Sequence, residues 1–166
     1  MSTTCGPACP GCRGPSAHAT FAGVTPPVIE RWIEIIDTGR TDQLPDLLAQ
    51  DAVFSSPAVF TPQEGRAKAA AYLVAAAKMF AGTGFRYVEK WYSDRSAVLE
   101  FVADIDGVHV NGVDIIHWND AGEITSVKVM LRPIKALQAV ISQMGKLLQQ
   151  SDAADAGPTG QRRESI

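Results

Sequence analysis

The chain has 166 residues, 46% of them hydrophobic, with a formal net charge of −3. That length fits one domain with tails and is enough for one sizeable core. The mild negative charge leaves no broad basic field for nucleic acid or anionic lipid, and Arg162-Arg163 is too short a pair to make one. No apolar run approaches the ~20 residues of a membrane span, and the start has neither a basic n-region nor an apolar h-region. A cytoplasmic protein with no membrane or nucleic-acid partner is expected.

Residues 1–24 are rich in Gly, Pro, Ser, Thr and Ala and read as a flexible tail. Within it Cys5, Cys9 and Cys12 follow a C-x3-C-x2-C spacing, with His18 after them. Clustered thiolates are soft metal ligands, so these four residues are the metal candidates of the chain. The opposing reading is a tail of ordinary reduced thiols. A structural zinc site draws its second ligand pair from across a folded knuckle, and the chain has no second Cys pair, so no metal is expected.

The domain proper is read over residues 25–133. Thr25-Pro26-Pro27 suits a helix start, with Thr25 as cap. Val28, Ile29, Trp32, Ile33 and Ile36 then recur at helical spacing, and Gly39 stops the helix. A short second helix is expected from about Asp42, a strand over 51–56, a loop bracketed by Pro57 and Pro62, and an Ala-rich helix over 66–81. Phe85 to Ser93 alternates as a strand.

Residues 97–133 carry the strongest pattern. Asp106-Gly107 is the signature of a two-residue type I′ hairpin turn, whose central positions both need φ > 0. It pairs Ile105 with Val108, Ala103 with Val110, Phe101 with Gly112 and Leu99 with Asp114. Alternation then gathers Leu99, Phe101, Ala103, Ile105, Val108, Val110, Ile116 and Trp118 on one apolar face, together with a single carboxylate, Asp114. Carboxylates are almost never buried unpartnered, so Asp114 is the foremost candidate for chemistry: a desolvated acid of raised pKa, or a structural group bonded to backbone or to Trp32. His109 falls opposite Asp104 and reads as a structural cross-strand pair. His117 falls on the opposite face from Asp114, which disfavours a dyad. The last strand spans 124–132. An amphipathic helix over 134–150 repeats Ile134, Leu137, Ile141, Met144 and Leu148, and a polar, disordered tail follows over 151–166.

Helices followed by a run of antiparallel strands predict an α+β domain, a sheet curled into a cone round three helices with an internal cavity and an added C-terminal helix. In this order the helix-one stretch IEIIDTGR, the strand DAVFSSP, the helix start EGRAKAAAYL and GVDIIHWNDAGEI are similar to the nuclear transport factor 2-like superfamily, specifically its SnoaL-like and ketosteroid isomerase-like branches. The resemblance implies a conical α+β barrel, a homodimer and an apolar pocket, in a family with enzymes on steroids, polyketides and terpenoids. It places the isomerase's oxyanion-holding acid on Asp114, its general base on Ser56 and its helix-one tyrosine on Trp32. The cyclases' last-strand aspartate falls near Val129. Ser56 does not titrate near pH 7, so ketosteroid isomerisation is expected to be absent or very slow.

The ligand-binding set expected is Trp32, Phe54, Ser56, Leu99, Phe101, Asp114, Ile116, Trp118 and Val129. Three functions stay open. The first is a binding module for a hydrophobic small molecule, without cofactor. The second is an isomerase, cyclase or lyase with Asp114 as acid or oxyanion donor. The third is a dimeric interaction protein whose pocket is merely core. No catalytic Ser-His-Asp order, G-x-G-x-x-G turn, P-loop or H-E-x-x-H helix is present.

Overall fold

The computed structural model describes residues 24–155; Cys5, Cys9, Cys12, His18 and residues 156–166 lie outside them. Helix α1 (Pro27–Thr38) has Pro26 at its N-cap and no side-chain cap. Thr25, expected in that role, lies one residue earlier, and its hydroxyl points to the Tyr92 hydroxyl at 3.5 Å. Gly39 ends the helix in the left-handed region (φ 69°), a conformation cheap only for glycine.

The second helix is a 3-10 helix, Thr41–Leu47. Pro45 inside it has no N–H to give an α-helical ladder. Strand β1 (Leu48–Ser55) therefore starts earlier than its apolar pattern suggested. A two-residue strand β2 (Gln63–Glu64), just past the expected loop, pairs antiparallel with β1. Helix α2 (Arg66–Phe80) leads to β3 (Arg86–Tyr92), β4 (Ser96–Ile105), β5 (Val108–Trp118), β6 (Ile124–Arg132) and helix α3 (Ile134–Asp155).

The six strands form one open sheet in the order β2-β1-β6-β5-β4-β3. The fold is α+β, a curved sheet wrapped on helices with α3 added. One pairing, β1 with β6, is parallel rather than antiparallel. The central hairpin has the expected register, with Leu99 opposite Asp114 and Phe101 opposite Gly112. Asp106 and Gly107 carry φ of 50° and 77°.

Strand β3 contains a bulge. Tyr87 stands opposite Phe101, yet Glu89 stands opposite Glu100, its immediate neighbour. One extra residue, Val88, is absorbed between them, and an extra residue switches the face on which all preceding side chains point. Tyr87 and Tyr92, five positions apart, consequently both turn inward, opposite the inward residues Phe101 and Ala97.

Two apolar clusters fill the concave side. The first joins α1 to β1 and the far end of the hairpin, through Ile29, Trp32, Ile35, Phe54, Leu99, Ile116 and Trp118. The second sets Ala136 and Val140 of α3 against Phe101, Ala103, Ile105 and Val110. A hydrogen bond of 2.8 Å from Gln143 Nε2 to Asp106 Oδ2 ties α3 to the hairpin turn. Among the described residues no helix is long and apolar enough to cross a membrane.

Candidate functional site

Between the two clusters lies a cavity of about 650 Å³, a size typical of small-molecule sites. Its floor is the sheet and its walls are α1, α2 and α3. Exposed lining residues mark the mouth: Asp37 and Gly39 at the end of α1, Ala58 and Val59 after β1, Gly82 and Gly84 after α2, and Ile141 and Gly145 on α3.

Asp114 lies on the floor at the seam of the two clusters, flanked by Leu99 on β4 and Val129 on β6. It is one of two buried polar residues among those described, at 7% exposure. Its side chain has one hydrogen-bond partner among the described residues: the Tyr87 hydroxyl donates to Oδ2 at 2.8 Å. Trp32 Nε1–H in turn donates to the Tyr87 oxygen at 2.9 Å. An indole N–H has no acceptor capacity, so the chain has a fixed direction, from Trp32 to Tyr87 to Asp114.

Burial pushes the Asp114 carboxyl from its ordinary 3.8 up to about 7, and the Tyr87 hydrogen bond holds it back only in part. The Tyr87 phenol is pushed well above 10, first by burial and then by the charge of Asp114. The phenol therefore stays protonated as a donor, while Asp114 changes state near neutrality.

Of the residues expected to bind a ligand, Trp32, Phe54, Ser56, Phe101, Asp114 and Val129 line the cavity. Leu99, Ile116 and Trp118 share the inward face but are packed into the first cluster with residues of α1 and β1. Ser56 Oγ accepts a hydrogen bond from the Ala58 N–H at 3.1 Å, the local turn bond that such a residue makes before proline. Trp32 bonds Tyr87 rather than Asp114 directly.

Sequence reading missed Tyr87, whose face is decided by the bulge. It also missed the aromatic wall of Tyr72, Phe80 and Phe85 and the contribution of Val140 and Met144 from α3. Glu64 and Glu89, which could stand in for a missing base only if turned inward, are exposed and do not line it. His117 faces away from Asp114, at 3.2 Å from Ser126 Oγ, and His109 Nδ1 meets Asp104 Oδ1 at 3.3 Å, as alternation required. Among the described residues no cluster of His, Cys, Asp and Glu is arranged to hold a metal ion.

The chain is similar in sequence or fold to several known proteins. Residues 29–127 match the SnoaL-like domain family. A steroid delta-isomerase from Pseudomonas aeruginosa is 34% identical; the match covers 76% of this chain and 92% of that one, with a TM-score of 0.73. An uncharacterised protein with a cystatin-like fold from Silicibacter pomeroyi DSS-3 is 29% identical over 74% of this chain and 86% of its own, with a TM-score of 0.69. The epoxide hydrolase/cyclase-like enzyme SalBIII of salinomycin pyran-ring formation is 17% identical over 63% of this chain and 88% of its own, with a TM-score of 0.52, and shows the fold alone. None of the curated proteins matches the chain.

Proposed function

Because the chain belongs to the SnoaL-like domain family, we propose that its cavity binds a hydrophobic small molecule and that Asp114 anchors that molecule's polar group. The observation that carries this is the placement of one carboxyl on the floor of an otherwise apolar cavity of about 650 Å³, with Oδ2 held by Tyr87. A carboxyl that only stiffened the core would have both oxygens partnered by protein groups, since buried polar groups without partners are destabilising. Here Oδ1 has no protein donor among the described residues and is left for a bound molecule. Apolar walls supply affinity by burial, at about 25 cal/mol per Å² of apolar surface, and the carboxyl supplies orientation.

Two measurements test this. Native mass spectrometry of the protein as isolated is expected to reveal a co-purified small molecule. Calorimetric titration with 1-naphthalenemethanol is expected to give saturable binding that Ala76→Trp, filling the cavity from α2, abolishes. No binding to wild type, or equal binding to Ala76→Trp, would overturn the reading.

Proton transfer is the second reading, favoured by a carboxyl that titrates at about 7. A catalytic acid or base works best when its pKa lies near the working pH. The similarity to a steroid delta-isomerase supports it as well. The base of that chemistry would fall on Ser56, which does not titrate, and neither Glu64 nor Glu89 reaches the cavity. General-base catalysis contributes ~10²–10⁴-fold, so isomerisation of a 3-oxo-Δ5-steroid is expected to be absent or slower than a two-acid site by that factor. Rapid turnover of that steroid would show that another group serves as base. On any substrate the protein does turn over, Asp114→Asn is expected to lower kcat more than it raises KM, and Asp114→Ala to lower kcat further.

A further inference from the structure

The cavity contains no Lys, Arg or His among its described lining residues; its ionisable groups are the carboxyls of Asp114 and Asp37 and the phenols of Tyr72 and Tyr87. Strand β3 presents Tyr87, α1 presents Asp37 at the mouth, and α2 presents Tyr72. Strands β1, β4 and β6 and helix α3 present no charged side chain. The described lining therefore carries no positive side chain, and a carboxylate or phosphate ligand would meet no counter-charge there.

The donor bonded to Asp114 is already used. Trp32 can only donate, so the Tyr87 oxygen accepts from it and the phenol hydrogen is committed to Asp114. When ionised, Asp114 consequently offers an unfilled acceptor at Oδ1. Aromatic rings that meet edge to face or tilted line the same cavity: Phe85 and Tyr87 with centroids 5.2 Å apart at 82°, Phe85 and Phe101 at 5.0 Å, Phe54 and Tyr72 at 5.7 Å. Ring faces attract cations, more strongly where water is excluded.

We propose that the occupant is a hydrophobic amine bound as its ammonium cation, with the N–H on Asp114 Oδ1 and the apolar body along the aromatic wall. This rests on the binding role set out above and assigns its ligand class. An ammonium gives the buried carboxylate the paired charge it lacks, and removing a lone buried charge's penalty is a gain specific to cations. A neutral carbonyl could bond to Asp114 only when that carboxyl is protonated, and an acid would bring a second negative charge.

The test compares three probes with one apolar body: 1-naphthylmethylammonium, 1-naphthalenemethanol and 1-naphthoate, each titrated calorimetrically into the full chain at pH 5 and pH 8. At pH 8 the ammonium is expected to bind at least tenfold tighter than the alcohol, with naphthoate weakest. At pH 5, where Asp114 is protonated and the amine still charged, the ammonium is expected to lose about tenfold or more and the alcohol less than threefold. Asp114→Asn is expected to erase the preference; should that variant not fold, the wild-type pH comparison decides alone. Alcohol or naphthoate binding as tightly as the ammonium at pH 8, or an ammonium affinity flat from pH 5 to 8, overturns the amine assignment and leaves the binding role standing. Failure of all three probes overturns both.

Discussion

Asp114 weakens the fold whenever it ionises. Its carboxyl sits at about 7 in the folded chain against an ordinary 3.8, so between those values the folded state holds a proton that the unfolded state has released. Stability is then highest below about pH 4 as far as this group is concerned, and falls as pH rises towards about 7. Raising a carboxyl from 3.8 to about 7 corresponds to about 4 kcal/mol. Asp114→Asn cannot ionise, and urea unfolding from pH 4 to pH 8 is expected to lose most of that downward slope; an unchanged slope would place the titrating group elsewhere. Tyr87→Phe removes the donor that, among the described residues, holds the Asp114 value down. It leaves the Trp32 N–H without its acceptor as well. The expected result is a midpoint for Asp114 above about 7, followed by carboxyl-carbon NMR, and a loss of about 1–3 kcal/mol in stability.

At the scale of the element, the hairpin β4–β5 was fully legible. A two-residue turn with both φ positive fixes every cross-strand partner, and a single carboxylate on the apolar face then marks itself. Strand β3 was legible as a strand but not in its facing, because alternation counts residues and Val88 adds one that the ladder does not use. The parallel pairing of β1 with β6 joins segments some seventy positions apart in the chain, and nothing local encodes it. Inward-facing alternation also does not distinguish cavity wall from packed core, which is why Leu99, Ile116 and Trp118 were grouped with true lining residues. Gly112 shows how the strands shape the wall. A Cβ there would lie 2.5 Å from Phe101 Cζ, 2.6 Å from Leu131 Cδ2 and 2.8 Å from the Met130 carbonyl oxygen. The ring of Phe101 rests on bare backbone. Gly112→Ala must displace two cavity-lining side chains, and a loss of about 1–3 kcal/mol is expected, with weaker binding of 1-naphthalenemethanol; denaturant titration and calorimetry check both.

At the scale of the molecule, the convex face of the sheet remains to be covered. Val98, Val102, Val113 and Ile115 are half-buried there and Trp91 and Met130 are exposed, interleaved with Glu100, Asn111 and Lys128. Asn111 already spans this surface, donating to Glu100 Oε1 at 2.8 Å and accepting from Arg132. A half-apolar sheet face of this kind suits a second copy of the chain. Sedimentation at micromolar concentration is expected to give a homodimer, and Ile115→Lys a monomer; a wild-type monomer would remove the proposal.

The Trp32–Tyr87–Asp114 series also makes the protein its own indicator. A proton arriving on Asp114 weakens its pull on the phenol hydrogen, the phenol oxygen becomes a poorer acceptor, and the indole at the far end is left in a different field. Indole emission responds to such fields. In a variant with Trp91 and Trp118 replaced by Phe, the colour of Trp32 fluorescence is expected to follow the titration of a carboxyl it does not touch, with a midpoint near 7 that disappears in Asp114→Asn. An occupant that ionises Asp114 would shift the same signal, so the state of the site can be read optically without any label.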